Sequence, residues 1–176
     1  MCQVKFPYHP NIYRLDFSPI KRNQEARLCQ VCGCVPELYL DRMYSTETIH
    51  CLCLQCVASG AAVDQFDGAY IQDAEWQKVS DPALVKNFFR TTPGYSSWQG
   101  EYWLACCDDF CNFIDYVGIA ELNKMPEKEA ILSDYEILGG FDRATLEEYL
   151  SRDGDITGYL FQCRHCSKYR LYADAS

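Results

Sequence analysis

A chain of 176 residues that is 48% hydrophobic, with 13 Tyr, 9 Phe and 3 Trp, has the composition of a folded globule and excludes intrinsic disorder. Chains of this length bury about 70% of the surface exposed when unfolded, so a core is available without help from metal. Its formal net charge of −9, from 16 Lys and Arg against 25 Asp and Glu, disfavours a sequence-independent nucleic-acid binder, which needs cations against phosphate.

Residues 1–10 show no apolar run behind their lysine and no small-residue cleavage site, so no secretion signal is expected. No uninterrupted apolar stretch reaches the 18 or so residues of a membrane span, and membrane insertion is not expected. Twelve cysteines in such a chain point to the cytoplasm, where thiols stay reduced and bind metal more readily than they form disulfides. From 6 to 27, three prolines alternate with Tyr8, Ile12, Tyr13, Leu15 and Phe17, which suits an extended arm that packs by its apolar side chains.

The first C-x-x-C pair follows at Cys29 and Cys32, with Gly33 behind it where a left-handed backbone is commonly required. Residues 38–40 and 43–44 read as a strand leading to a second pair, Cys53 and Cys56. Residues 57–66 suit a short helix despite Gly60, and a helix carrying the last two ligands is a treble-clef arrangement. The run 81–90 has Asp81 as N-cap and Pro82 at the first helical position, and it closes at Thr92-Pro93-Gly94.

Residues 97–104 look like a strand entering the cluster Cys106, Cys107 and Cys111, and 113–118 continue it. An acidic, helix-prone stretch covers 121–138. A second capped helix over 142–150 places Leu146, Tyr149 and Leu150 on one face. The tail reads as strand, third pair (Cys163 and Cys166), strand: a C-terminal hairpin clipped by metal.

A C-x-x-C turn aims two thiolates at one tetrahedral Zn²⁺, and two such pairs complete a closed four-sulfur site. Cys29, Cys32, Cys53 and Cys56, with twenty residues between the pairs, form the first. The second needs two partners for Cys163 and Cys166. On a helix Cys107 and Cys111 share a face as i and i+4, whereas adjacent residues on a strand point apart, so Cys107 and Cys111 are expected and Cys106 is the alternative to Cys111. Each zinc with four thiolates contributes −2, so two sites would lower the formal −9 to −13. Cys34 and Cys51 are expected as packing cysteines and Cys2 as a free surface thiol.

Catalytic zinc keeps an open position, usually beside a carboxylate base. The chain has three histidines, His9, His50 and His165, and no H-E-x-x-H or deaminase motif, so no catalytic residue is assigned. Paired carboxylates such as Asp108 and Asp109 read as solvated surface, with contact to a neighbouring site as the simplest role for Asp108. A basic patch of Arg164, Lys168 and Arg170 is the main feature favouring nucleic acid.

The order Phe6-x-Tyr8-His9-Pro10, two C-x-x-C pairs, Thr92-Pro93-Gly94-Tyr95-x-x-Trp98-Gln99, Trp103-Leu104-x-Cys106-Cys107-x-Asp109-x-Cys111 and Tyr159-Leu160-Phe161-x-Cys163-x-x-Cys166 resembles the CbrC-like family. These are small bacterial proteins named after one linked to colicin tolerance. The resemblance implies a cytoplasmic protein without assigned catalysis. Together these readings predict an α+β fold in which one domain over 1–176 contains two zinc-clipped modules, at 28–70 and 95–176. The expected function is non-enzymatic, with another protein as partner; the competing expectation is a thiol-redox or zinc enzyme with an open cysteine cluster.

Overall fold

The computed structural model describes residues 3–72 and 76–176, so Cys2 lies outside the described residues. The chain divides into two units, one of residues 1–75 and 80–96, the other of 76–79 and 97–176.

In the first unit the proline-rich segment is a succession of turns and not an extended arm. The Ile12 N–H donates to His9 O at 3.2 Å and the Ser18 N–H to Leu15 O at 3.2 Å. The fixed φ of proline suits such turns as well as extended chain. Phe6, Tyr8, Ile12 and Leu15 are buried, and Phe17 stays exposed. Three short antiparallel strands follow in the order β1 (Ile20–Arg22), β2 (Leu38–Leu40), β3 (Leu52–Cys53), with Tyr39 paired to Cys53.

The expected helix after the second cysteine pair is two helices, α1 (Leu54–Ala58) and α2 (Ala61–Phe66), divided at Gly60, whose φ of 77° lies in the left-handed region. The third helix, α3 (Pro82–Thr91), begins where Asp81 and Pro82 predict, with the Ala83 N–H donating to Asp81 Oδ1 at 2.8 Å. Leu40, Leu52, Leu54, Val57, Ala62 and Phe66 form the core.

The second unit opens with a two-strand hairpin, β4 (Ala105–Cys106) and β5 (Asp109–Phe110). Then come β6 (Asn112–Val117), α4 (Ile119–Leu122), α5 (Lys128–Leu138), α6 (Arg143–Tyr149), β7 (Ile156–Gln162) and β8 (Tyr169–Ala175). The last two strands make the C-terminal hairpin, and β6-β7-β8 is an antiparallel sheet.

Alternation along β7 sends Leu160 towards helix residues Leu132, Tyr135 and Leu146, while Phe161 joins an aromatic cluster with Trp103 and Phe113. Leu146 and Leu150 are buried, but Tyr149 is 57% exposed: α6 ends there, and Leu150 reaches the core through an extended C-cap.

Residues 97–104 form no named strand. Their order comes from Asp174 of β8, almost wholly buried, whose Oδ2 accepts from the Trp98 and Gln99 N–H groups at 3.1 and 3.0 Å. Its Oδ1 accepts from the Tyr159 hydroxyl at 2.6 Å. A three-way capture by one carboxylate satisfies backbone donors that a strand would otherwise pair.

Candidate metal centres

The first and third C-x-x-C pairs close the same small turn. The Cys29 N–H donates to Cys34 O at 2.8 Å and the Gly33 N–H to Cys29 O at 2.9 Å; the Cys163 N–H donates to Lys168 O at 2.8 Å and the Ser167 N–H to Cys163 O at 3.1 Å. Both turns need a positive φ at the fifth residue, 71° at Gly33 and 61° at Ser167. Glycine meets that need without strain, whereas serine does so at a cost of about 1 kcal/mol. The second pair is built differently: Cys53 is the N-cap of α1 and Cys56 stands in its first turn, with the Cys56 N–H donating to Cys53 Sγ at 3.4 Å. The first cluster is therefore a turn plus a helix start.

Cys29, Cys32, Cys53 and Cys56 place their sulfurs within 4.8 Å of one another. Cys32 and Cys53 Sγ are 3.7 Å apart. Tetrahedral zinc with Zn–S bonds of about 2.3 Å puts its sulfurs about 3.8 Å apart, so this spacing fits one ion. The Cys53 N–H also donates to Cys29 Sγ at 3.2 Å.

The second cluster is Cys106, Cys107, Cys163 and Cys166, also within 4.8 Å. Sulfur spacings of 3.8 Å for Cys106 to Cys107 and 3.7 Å for Cys106 to Cys166 match the same tetrahedron. Helical spacing pairs Cys107 with Cys111, but the structure brings Cys106 to the cluster instead, and the reason is local. Cys107 and Asp108 are the two central residues of the β4–β5 hairpin, at φ of 55° and 58°. Two positive φ angles mark a type I′ turn, which folds adjacent side chains back so that both sulfurs reach one point. Cys111 is fully buried beyond β5, and its carbonyl accepts from Trp103 Nε1–H at 2.8 Å.

Four thiols so close cannot all ionise without a counter-charge. Burial pushes Cys53 and Cys56 up, and neighbouring sulfurs add to the rise at Cys56. Cys32 is drawn down to about 6, first by the Cys34 N–H and then by the Cys34 thiol. In the second cluster burial opposes ionisation of Cys163, yet the N–H groups of Cys166 and His165 outweigh it and bring it to about 6. Four convergent sulfur donors in each cluster fit a soft divalent metal.

A buried carboxylate that sequence reading left on the surface supports the second cluster. Asp109 Oδ2 lies 2.9 Å from His165 Nε2 and accepts from Arg164 at 3.2 Å, so it holds the C-x-x-C turn from outside the sulfurs. Pairing of Asp109 with Cys106 across the hairpin, together with the aspartate-favouring turn before it, was the available signal.

Lys168 and Arg170 both bond Asp134 of α5, with Arg170 Nε at 2.8 Å from Oδ2. All three cations of the C-terminal basic patch are thus engaged with carboxylates. His9 is buried with its Nδ1 3.0 Å from Pro93 O, and His50 is exposed; neither stands in a cluster. Beside the second cluster lies an open cleft of about 590 Å³ lined by Trp76, Lys78, Tyr102, Cys106, Cys107 and Asp108. All eleven described cysteines are free thiols, and no helix among the described residues is long and apolar enough to cross a membrane.

The chain is 32% identical over 148 residues to the UPF0167 protein Mb2317 of Mycobacterium bovis, covering 79% of this chain and 77% of the relative. The UPF0167 protein MT2352 of Mycobacterium tuberculosis gives the same figures. The UPF0167 protein PA1536 of Pseudomonas aeruginosa is 28% identical over 169 residues, covering 93% of this chain and 92% of the relative. No solved structure matches the chain. A family model described as "Uncharacterised protein family (UPF0167)" matches residues 4–175. The chain therefore belongs to the uncharacterised family UPF0167.

Proposed function

We propose that this is a non-enzymatic cytoplasmic zinc protein in which two closed four-thiolate sites clip modules at 28–70 and 95–176 and so present a surface to another protein. The observation that carries the reading is the sulfur spacing of 3.7 to 3.8 Å in both clusters, the edge of a zinc tetrahedron whose four corners the chain supplies itself. A full sulfur set leaves no coordination position for water, which a hydrolytic zinc requires. Resemblance to the CbrC-like family extends the reading to stress or colicin tolerance as the cellular setting.

Metal content of the purified protein, with single substitutions, tests it. Two zinc per chain are expected, falling to one in Cys106→Ser and remaining two in Cys111→Ala. Loss of zinc from Cys111→Ala with retention in Cys106→Ser would overturn the ligand set. The cleft over Cys106 and Cys107 favours one competing reading, a reactive-thiol site. Metal-free protein whose Cys106 or Cys107 labels rapidly with a thiol reagent would establish that reading instead.

A further inference from the structure

The first cluster carries a fifth thiol that its tetrahedron does not use. Cys34 Sγ stands 3.4 Å from Cys32 Sγ, and both residues are exposed, whereas Cys29, Cys53 and Cys56 are buried. Gly33 between them takes a φ of 71°, folding the turn so that the two sulfurs meet. The other spare cysteine of this unit, Cys51, is buried and points its Sγ at Arg27 O, 3.8 Å away. Cys34 is therefore neither a packing cysteine nor one of the four clustered sulfurs; it is an accessible thiol in contact with a ligand.

We propose that Cys32 and Cys34 form a peroxide-responsive disulfide site that opens the first cluster. The metal part rests on the zinc reading above, while the thiol pair rests on geometry alone. The Cys32 thiolate attacks one oxygen of a hydroperoxide, the O–O bond breaks, and hydroxide (or alkoxide) leaves; Cys32 becomes a sulfenic acid and its bond to the metal is lost. The Cys34 thiol then attacks the sulfenyl sulfur. The S–S bond forms, the S–O bond breaks, and the Cys34 proton leaves with the departing oxygen as water. Two electrons pass from the sulfur pair to the peroxide, and three sulfurs remain for the metal. A bridge across a single intervening residue is strained, and strained, exposed disulfides are the ones that thiols reduce readily, so the site closes again. Without Cys34 the sulfenic acid would proceed to sulfinic acid, which thiols do not reverse.

The test uses the zinc-loaded full chain and its Cys34→Ser variant, each treated with hydrogen peroxide and then with dithiothreitol and zinc. Released metal is read with a chromogenic chelator, and the tryptic peptide spanning 28–42 is read by mass. Wild type should release one of two zinc, show that peptide lighter by about 2 Da with the bridge between Cys32 and Cys34, and regain its zinc on reduction. Cys34→Ser should begin with two zinc, gain oxygen at Cys32 and fail to regain the lost ion. A bridge to Cys29 or Cys53 in wild type, full recovery by the variant, or a variant that starts with one zinc would overturn the proposal. Metal-free protein that still forms the Cys32–Cys34 bridge would refute the zinc reading and leave the pair standing.

Discussion

Asp134 gives the strongest test of how the second unit is held. Its carboxylate is nearly buried between Lys168 and Arg170, whose side chains are 48% and 12% exposed. Asp134→Ala would leave a guanidinium inside with neutral acceptors only, Gln77 Oε1 at 2.6 Å and the Ala105 carbonyl. Breaking a buried pair by removing one partner costs about 3–5 kcal/mol, and the lower end applies because those two acceptors remain. Lys168 can return to water and adds less than about 1 kcal/mol.

A loss of about 3 kcal/mol corresponds to a fall of roughly 6–12 °C in Tm for a chain of this size. Burial pushes the Asp134 carboxyl up, but Lys168 and Arg170 outweigh it and hold it below its ordinary value. The stabilisation is thus complete above the unfolded pKa of about 3.9 and is lost as pH falls through the folded value. Urea unfolding followed by tryptophan fluorescence reads this unit, because Trp76, Trp98 and Trp103 all lie in it. A change below about 1 kcal/mol in Asp134→Ala at pH 7, or a double variant with Arg170→Met no more stable than the single, would refute the buried-pair argument.

Burial lowers His9 to about 4, against the Pro93 carbonyl and with help from Arg42, so the folded state binds its proton more weakly than the unfolded chain does. Stability should fall by about 2 kcal/mol from pH 7 to pH 5 through this group, and thermal unfolding by circular dichroism should show that much less decline in His9→Asn; parallel curves would contradict it. Asp174→Ala leaves two N–H groups and a hydroxyl without their acceptor, and a loss of about 2–4 kcal/mol is expected by urea unfolding. Gly33→Ala should lower stability by about 1 kcal/mol, while Ser167→Gly should leave it unchanged or raise it by up to about 1 kcal/mol, because only the first introduces strain at a positive φ.

Local signals were enough wherever one segment satisfied its own requirements. The N-caps at Asp81 and Asp142 and the C-terminal hairpin could be read from spacing, because a cap and a hairpin are each closed by residues a few positions apart, and the first cluster was legible as two C-x-x-C pairs twenty residues apart. The ligand set of the second cluster was less legible. Whether Cys106 or Cys111 joins Cys107 depends on whether 106–111 is helix or hairpin, and side-chain periodicity over six residues does not distinguish them.

What the sequence alone determined was chemistry: an acidic chain carrying three C-x-x-C pairs, enough thiols for two metal sites, and apolar content enough for a core. Tertiary structure decided which sulfurs meet, which carboxylates lie inside, and that Cys34 stands against Cys32. Asp109, Asp134 and Asp174 look like surface acids in a row of 25, yet each is buried because cations or N–H groups come to it from residues 34 to 76 positions away. Burying a charge is tolerated only when such partners converge, and convergence over that separation is a property of the folded chain.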